Sequence, residues 1–491
     1  MAKIYNGWLM NKVQIEKINE VYNKIYAETS ILMELSDYFT FDVPGAKFSP
    51  QFRQKRWDGK IRLLNVNNQK LYAGLSGYVE HYCNQKNYEV EFLYDNTTKE
   101  FSIKEAEDFI KTLNLTLTPR DYQIESFVKC VRDSRALLLS PTSSGKSLII
   151  YLLYRYYNKK TLLIVPTTSL IHQMYSDFIS YGYDEADNIH KIYEGQTKTS
   201  DCQLFISTWQ SIFEMPKKWF NQFDVVIGDE AHNFKAKSLT SILTKLENCK
   251  YRFGTTGTLD GSLTNKLVLE GLFGPVKTVI STSEMIEKKY ASDFKIKSIV
   301  LNYNDSTKKT VSKYDYQQEI DFIISNEKRN RFIINLALSL KGNTLILFRY
   351  VDRHGKMLYN SLLNSSTDKD IYFISGEIDG LDRDDIRNKI NNSRNSITVA
   401  SEGTTSTGVN IPELNNIIFA SPSKARIKTL QSIGRVLRKT KNKTHATLYD
   451  ISDDLSWKNK KNYTLFHFME RIKIYNEEKF SYRIYKVSID T

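Results

Sequence analysis

Residues 135–150 read RALLLSPTSSGKSLII, and this stretch decides the fold. The apolar run 136–139 has the length and composition of a buried strand. A turn follows, and then SLIIYLLYRYY (147–157), a helix apolar nearly all round, as a helix packed on a sheet should be. Strand, tight loop and helix are the setting of the phosphate-binding pattern G-x-x-x-x-G-K-[ST]. Gly145, Lys146 and Ser147 match it, with Ser140 in place of the first glycine. In such a loop Pro141, Thr142, Ser143, Ser144 and Gly145 wrap the phosphates, and N–H groups at the helix N-terminus point at anionic oxygens. Lys146 adds a point charge at the outer phosphates, and Ser147 offers a hydroxyl to Mg2+.

A Gly-Lys-Ser triplet arises by chance often enough that a second element is needed. FDVVIGDEAH (223–232) supplies it, setting Asp229 and Glu230 at the C-terminal end of another apolar strand. Asp229 can hold the metal, and Glu230 can orient and polarise the attacking water. The competing reading is a solvated carboxylate pair at a strand end.

The rhythm around these two elements extends the fold. Short apolar runs ending in small or polar residues recur as TLLIVPTT (161–168), QLFISTWQ (203–210) and YRFGTTGT (251–258). Helix-length segments separate them, the pattern of parallel strands with crossover helices. The pattern returns in NTLILFRYV (343–351), DIYFISGE (370–377), SITVAS (396–401), NNIIFAS (415–421) and HATLYDI (445–451). Between the two sets, FKIKSIVLNY (294–303) alternates as a strand, and residues 306–323 read as a solvated loop and then a helix.

The 491 residues carry a net charge of +13, which favours a polyanionic partner, nucleic acid first. Cys83, Cys130, Cys202 and Cys249 form no C-x-x-C pair and have no histidine at zinc spacing, so reduced thiols are expected. No secretory signal or membrane-length apolar run is seen, and a cytoplasmic protein with no membrane partner is expected.

The N-terminal region contains FSPQFRQKRWDGKIRLL (48–64), and residues 41–70 hold seven Lys or Arg against two Asp. Arg53, Arg56, Lys60 and Arg62 could neutralise phosphates, and an exposed aromatic such as Trp57 could stack on an unpaired base or wedge at a junction. For Phe48, Phe52 and Trp57 themselves, burial in a small apolar core is the favoured reading.

Asp229-Glu230-Ala231-His232 resembles the DEAH form of the second motif of superfamily 2 helicases, a family in which a small residue often replaces the first loop glycine. Other elements fall in that family's order. Thr118-Pro119-Arg120-Asp121-Tyr122-Gln123 resembles its adenine-reading motif, implying nucleotide contacts from Arg120 and Gln123. Pro166-Thr167-Thr168 and Thr208-Trp209-Gln210 resemble motifs that touch the nucleic-acid backbone. Thr255-Thr256-Gly257-Thr258 stands where Ser-Ala-Thr is usual. Residues 405–412, TSTGVNIP, resemble the fifth motif, implying strand contacts from Thr404 and Thr405 and nucleotide contacts from Gly408 and Asn410, the last replacing a usual aspartate. Gln431-Ser432-Ile433-Gly434-Arg435-Val436-Leu437-Arg438 matches Q-x-x-G-R-x-x-R. There the resemblance implies that Gln431, Arg435 and Arg438 act on the γ-phosphate, a finger able to contribute about 10³ or more in rate.

F-x₄-W-D-G-x₃-L (52–63) and YAGL (72–75), followed by PTTSL (166–170), STWQS (207–211), IGRVLRK (433–439) and EEKFSY (477–482), narrow the resemblance to the UvsW family of T-even phage helicases. It implies an α/β chain with four parts: a small α+β DNA-recognition domain (1–115), two tandem RecA-like parallel-sheet domains (116–280, binding ATP, and 281–452), and a short helical C-terminal domain (453–491). It further implies ATP and Mg2+ as cofactors, and branched or single-stranded DNA or an RNA–DNA hybrid as partner for a chain monomeric on DNA. Fork regression, Holliday-junction migration and R-loop removal are the expected activities. A duplex translocase that separates no strands, an RNA helicase and an ATP-gated clamp are the rival readings.

Overall fold

In the computed structural model the described residues are 11–43, 45–231, 236–257, 259, 263–365, 367–376, 386, 389–390, 392–403, 414–422, 434, 443 and 445–489. The chain divides into two compact units, one of residues 1–140 and 145–279, the other of 141–144 and 280–491. No helix among the described residues is long and apolar enough to cross a membrane.

The first unit opens with a small α+β module. Its strands are β1 (Lys12–Lys17), β2 (Tyr22–Tyr26), β3 (Thr40–Asp42), β4 (Lys60–Arg62), β5 (Lys70–Tyr72) and β6 (Glu89–Phe92). They form a mixed sheet of order β5-β2-β1-β6 and a separate β3–β4 hairpin. Alternation dictates the module's core: Val13 and Ile15 of β1, with Ile25 of β2, turn inward onto Leu32 and Leu35 of the helix Thr29–Tyr38.

A seven-stranded sheet follows, built from β7 (Arg135–Leu139), β8 (Thr161–Val165), β9 (Ile189–Ile192), β10 (Leu204–Thr208), β11 (Val225–Gly228), β12 (Tyr251–Thr256) and β13 (Val276–Thr278). The order is β13-β7-β12-β11-β8-β10-β9, every pair parallel. Both faces are covered, which is why these strands read as unbroken apolar runs. Leu138, Leu163, Ile206 and Ile227 feed one core, and their neighbours Leu137, Leu162, Phe205 and Val226 feed the other. The helix Lys146–Tyr157 buries every residue from Leu148 to Tyr154 on the first of these cores, and the helix Ile103–Thr112 packs Ala106, Phe109 and Ile110 there too.

The module is seated on this domain through close backbone approach. A Cβ on Gly74 would lie 2.0 Å from the Glu270 carbonyl oxygen, and one on Gly271 would lie 2.7 Å from Tyr72 Cβ. Only glycine fits at either position. Tyr78 Oη donates to Glu270 Oε2 at 2.8 Å, while Glu270 Oε1 accepts the Val276 N–H at 2.9 Å.

The second unit holds another seven-stranded parallel sheet. Its strands are β14 (Asp293–Asn302), β15 (Asn343–Phe348), β16 (Asp370–Ile374), β17 (Ser396–Ser401), β18 (Leu414–Phe419), β19 (His445–Asp454) and β20 (Tyr482–Ser488), in the order β16-β17-β15-β18-β19-β14-β20. Two refinements of the sequence reading follow. Residues 305–311, read as loop, form a helix whose first turn is capped by the Asn304 side chain. The segment beyond 452 is helical over Tyr463–Glu477, as expected, and then returns as β20 on the sheet edge. Arg471 fixes that return: its guanidinium, 2% exposed, grips Asp450 of β19 at 2.8 Å, and Tyr475 Oη donates to the same carboxylate at 2.9 Å.

Candidate nucleotide site and nucleic-acid interface

Parallel pairing puts the ends of β7, β12, β11, β8 and β10 on one edge of the first sheet. Leu139 pairs with Thr256, Gly228 with Ile164, and Val165 with Thr208. The phosphate-loop sequence, the Asp229–Glu230 pair, the Pro166-Thr167-Thr168 turn and the Thr208-Trp209-Gln210 turn therefore leave neighbouring strands at one level. Ligands of open parallel sheets bind beyond this edge.

Ser140 is wholly buried and donates its N–H to the Thr256 carbonyl at 2.9 Å, tying the loop to the end of β12. Its small side chain suits that position. The loop then turns tightly, Ser144 donating through both N–H and Oγ to the Pro141 carbonyl. Gly145 is left-handed (φ +78°), and a Cβ there would lie 2.3 Å from Gln123 Nε2. Lys146 Nζ lies 3.0 Å from Glu230 Oε1, so the loop cation and the strand-end carboxylate converge. Glu230 has φ +50°, a costly conformation for a glutamate and of the kind concentrated at functional sites.

Asp229 is 6% exposed. Its Oδ1 accepts from Thr255 Oγ1 at 2.5 Å and from the Glu230 N–H at 2.9 Å. Burial, and then the Glu230 charge, push its carboxyl up to about 6; Lys146 and the Thr255 hydrogen bond act in the opposite sense. A carboxylate strained in this way is relieved by a nearby cation. With the Ser147 hydroxyl it gives the oxygen donors that Mg2+ prefers.

Gln123, 4% exposed, accepts the Arg120 N–H through Oε1 and donates through Nε2 to the Gly145 carbonyl at 3.3 Å. It braces the phosphate-loop glycine in this structure. Arg120 reaches the Tyr122 hydroxyl at 2.9 Å.

Of the strand-contact candidates, Thr168 and Gln210 are exposed, Thr167 and Trp209 half-buried, and Pro166 and Thr208 buried. Thr208 Oγ1 lies 2.9 Å from Ser211 Oγ. In the N-terminal module, Arg53, Arg56, Lys60 and Arg62 are exposed around the β3–β4 hairpin. Arg62 pairs with Asp58 at 2.5 Å, and Trp57 Nε1 donates to the Lys60 carbonyl at 2.8 Å. The expected aromatic core is corrected here. Phe48 is 68% and Phe52 37% exposed, because the helical turns Ala46–Phe48 and Pro50–Arg53 between β3 and β4 bury no side chain, while Trp57 is half-buried. Gln431, Arg435, Arg438, Gly408, Asn410, Thr404, Thr405 and His232 lie outside the described residues.

Sequence reading missed Tyr181. Its hydroxyl sits 2.7 Å from Ser147 Oγ, and its ring packs on Tyr151 at 5.6 Å between centroids. Nothing in the spacing could announce a partner 34 residues away.

A sequence 36% identical over 493 residues, covering 95% of this chain and 97% of the relative, is the ATP-dependent DNA helicase uvsW of Enterobacteria phage T4. The chain belongs to the UvsW helicase family. Family models agree: DNA helicase UvsW, N-terminal, over residues 12–93; type III restriction enzyme, res subunit, over 116–261; and helicase conserved C-terminal domain over 327–440. The crystal structure of T4 UvsW matches with a TM-score of 0.53 at 34% identity, covering 97% of this chain and all of that one. A type ISP restriction-modification enzyme, LlaBIII, bound to DNA shares the fold alone, with a TM-score of 0.56 at 14% identity over 84% of this chain and 34% of that one. This UvsW-family chain is thus a superfamily 2 helicase that uses a nucleotide and binds nucleic acid.

Proposed function

We propose that this chain hydrolyses ATP to remodel branched DNA, by fork regression, junction migration and R-loop unwinding, as a monomer on its substrate. The observation that carries the reading is the Lys146–Glu230 convergence at 3.0 Å in a strand-loop-helix setting, in a chain that matches a DNA helicase end to end. Lys146 and the N-terminal N–H groups of the helix Lys146–Tyr157 receive the outer phosphates. Glu230 orients the attacking water. Ser147 and Asp229 would hold Mg2+, which when bound neutralises charge on the phosphate oxygens. Family resemblance supports Gln431, Arg435 and Arg438 as the groups that meet the γ-phosphate, and Thr404, Thr405, Gly408 and Asn410 as strand and nucleotide contacts.

The loops after β8 and β10 offer hydroxyls and N–H groups, which suit a grip on phosphates that ignores base identity. The exposed Phe48 and its flanking cations suit a junction. ATPase stimulation by forks, four-way junctions, single strands, blunt duplex and RNA, at one salt concentration, tests the reading. Forks and junctions should lead. Equal stimulation by blunt duplex would favour a translocase that separates no strands, and RNA in first place would favour an RNA helicase.

A further inference from the structure

A cavity of about 1260 Å³ lies within the first unit, between the N-terminal module and the edge of the first sheet where the strands begin. Ser134 and Arg135 at the start of β7, Lys159 before β8, and Lys250 and Tyr251 at the start of β12 form one wall. The module and the segment 94–99 form the other. The phosphate loop and the strand-contact turns leave the opposite edge, so this cavity has no part in the site described above.

Its chemistry is that of a receptor. Asn23 lines it and is 1% exposed. Ser76 Oγ donates its one proton to the Ala73 carbonyl at 2.8 Å, so it can only accept from Asn23 Nδ2, at 2.7 Å. Asn23 Nδ2 also reaches the Tyr94 hydroxyl at 3.3 Å, and Asn23 Oδ1 is left buried without a donor. An unmet buried acceptor costs about 1–3 kcal/mol.

The charges are asymmetric. The lining carboxylates are engaged inside the protein: Glu20 by Lys17 at 2.8 Å, Asp133 by Lys277 at 2.8 Å, Asp95 by Thr97, and Glu270 by Tyr78. Six cations line the cavity against these four carboxylates; Lys17 pairs with Glu20 and Lys159 with Asp224, and the other four meet neutral partners. Lys99 donates to the Tyr156 hydroxyl, Arg132 to the Phe101 carbonyl, and Arg135 to the Glu20 and Phe273 carbonyls, while Lys250 lies over the Tyr251 ring. Positive charge therefore remains for a ligand. Tyr94, Tyr156, Tyr157 and Tyr251 add aromatic rings to the lining, Tyr157 and Tyr251 packed on each other with centroids 3.9 Å apart.

Phosphates and flat rings together describe nucleotides. We propose that this cavity binds an unpaired stretch of DNA, a second strand contact at the opposite edge of the sheet from the tracking loops. The proposal rests on the branched-DNA reading, since a branch is what presents a second unpaired strand to one molecule. An acidic peptide matches the charge but leaves the ring faces unused.

Gly77 provides the test. It lines the cavity in the first turn of the helix Ser76–Lys86, and a Cβ there would meet nothing within 4 Å. Gly77→Glu thus adds a carboxylate where there is room and where a helix dipole favours it. Binding of the full chain to a splayed fork with two oligo-dT arms, and to one oligo-dT strand, is measured by anisotropy across a salt series. Gly77→Glu should weaken fork binding about fivefold or more and leave the single strand unchanged. Lys99→Gln with Lys250→Gln should flatten the fork's log-affinity against log-salt slope by about 1.4, two single-strand phosphate contacts. Wild-type fork binding in both variants, or equal losses on both substrates, would overturn the proposal. So would an oligo-glutamate peptide that binds in a Gly77-dependent way while fork binding stays intact. A wild-type chain that unwinds no fork with ATP defeats the branched-DNA reading itself, whereas unwinding that Gly77→Glu leaves intact defeats only this inference.

Discussion

Thr255 hands its hydroxyl proton to Asp229 across 2.5 Å, joining the end of β12 to the carboxylate just beyond β11. Two strands of one sheet thereby hold a buried carboxylate at the edge proposed to bind the nucleotide. Asp229 is buried beside Glu230, and its carboxyl is raised well above the ordinary range. The folded protein consequently binds that proton more tightly than the unfolded chain. Linkage then requires the contribution of Asp229 to stability to be fullest at low pH and to be lost as pH rises through its folded value, about 6. Under the proposed function hydrolysis has the opposite need, because only the carboxylate would serve a metal. ATPase activity should fall as pH drops below about 6, and Asp229→Asn should melt a few degrees higher than wild type while hydrolysing nothing. A variant that melts lower would show that the buried charge is not a liability.

Glu230→Gln keeps the shape of the site and removes the group proposed to polarise water. Nucleotide binding should persist and turnover should fall by about 10²–10⁴. A fluorescent ATP analogue and a phosphate-release assay separate the two effects.

Tyr181 Oη lies 2.7 Å from Ser147 Oγ, and with Ser147 as donor the contact would leave an oxygen lone pair for a Mg2+ ion held there. Groups that orient a metal ligand typically contribute tenfold or more to affinity. Tyr181→Phe should raise the Mg2+ concentration for half-maximal nucleotide binding by about tenfold, and should add nothing in a Ser147→Ala background. An additive loss would assign Tyr181 to packing against Tyr151 instead.

The N-terminal module is held by the Tyr78–Glu270 hydrogen bond and the Gly74 approach. Tyr78→Phe should cost about 1–2 kcal/mol in urea unfolding, as expected for a bond to a carboxylate. Gly74→Val, whose Cβ collides with a backbone carbonyl, should unseat the module and expose the seam to protease.

On the β3–β4 hairpin, Phe48→Ala should weaken binding to forks more than to plain single strands, and Arg56→Ala with Trp57→Ala should do the same. Equal losses on both substrates would make these residues structural.

The parallel sheets and the strand-loop-helix that brings Lys146 to Glu230 were legible because their signals are local: unbroken apolar runs, a fixed glycine spacing, an acidic pair at a strand end. Ser140 looked like a defect in the loop and is instead a buried anchor to Thr256. What sequence did not announce depends on contacts between distant segments. Tyr181 reaches Ser147, and Thr255 reaches Asp229, through tertiary packing alone. Strand β20 was hidden because its edge position leaves most of YRIYKVS exposed, without the alternation of a half-buried strand. Phe48 and Phe52 misled for the converse reason, since apolar residues on a segment that builds no core of its own stay exposed.

The most direct test of the central claim is strand separation of a DNA fork, followed together with phosphate release, by wild-type chain and by Lys146→Ala. The wild type should open or regress the fork only with ATP, and Lys146→Ala should bind the fork with unchanged affinity while releasing no phosphate and moving no strand. Phosphate release by Lys146→Ala at the wild-type rate would contradict the account.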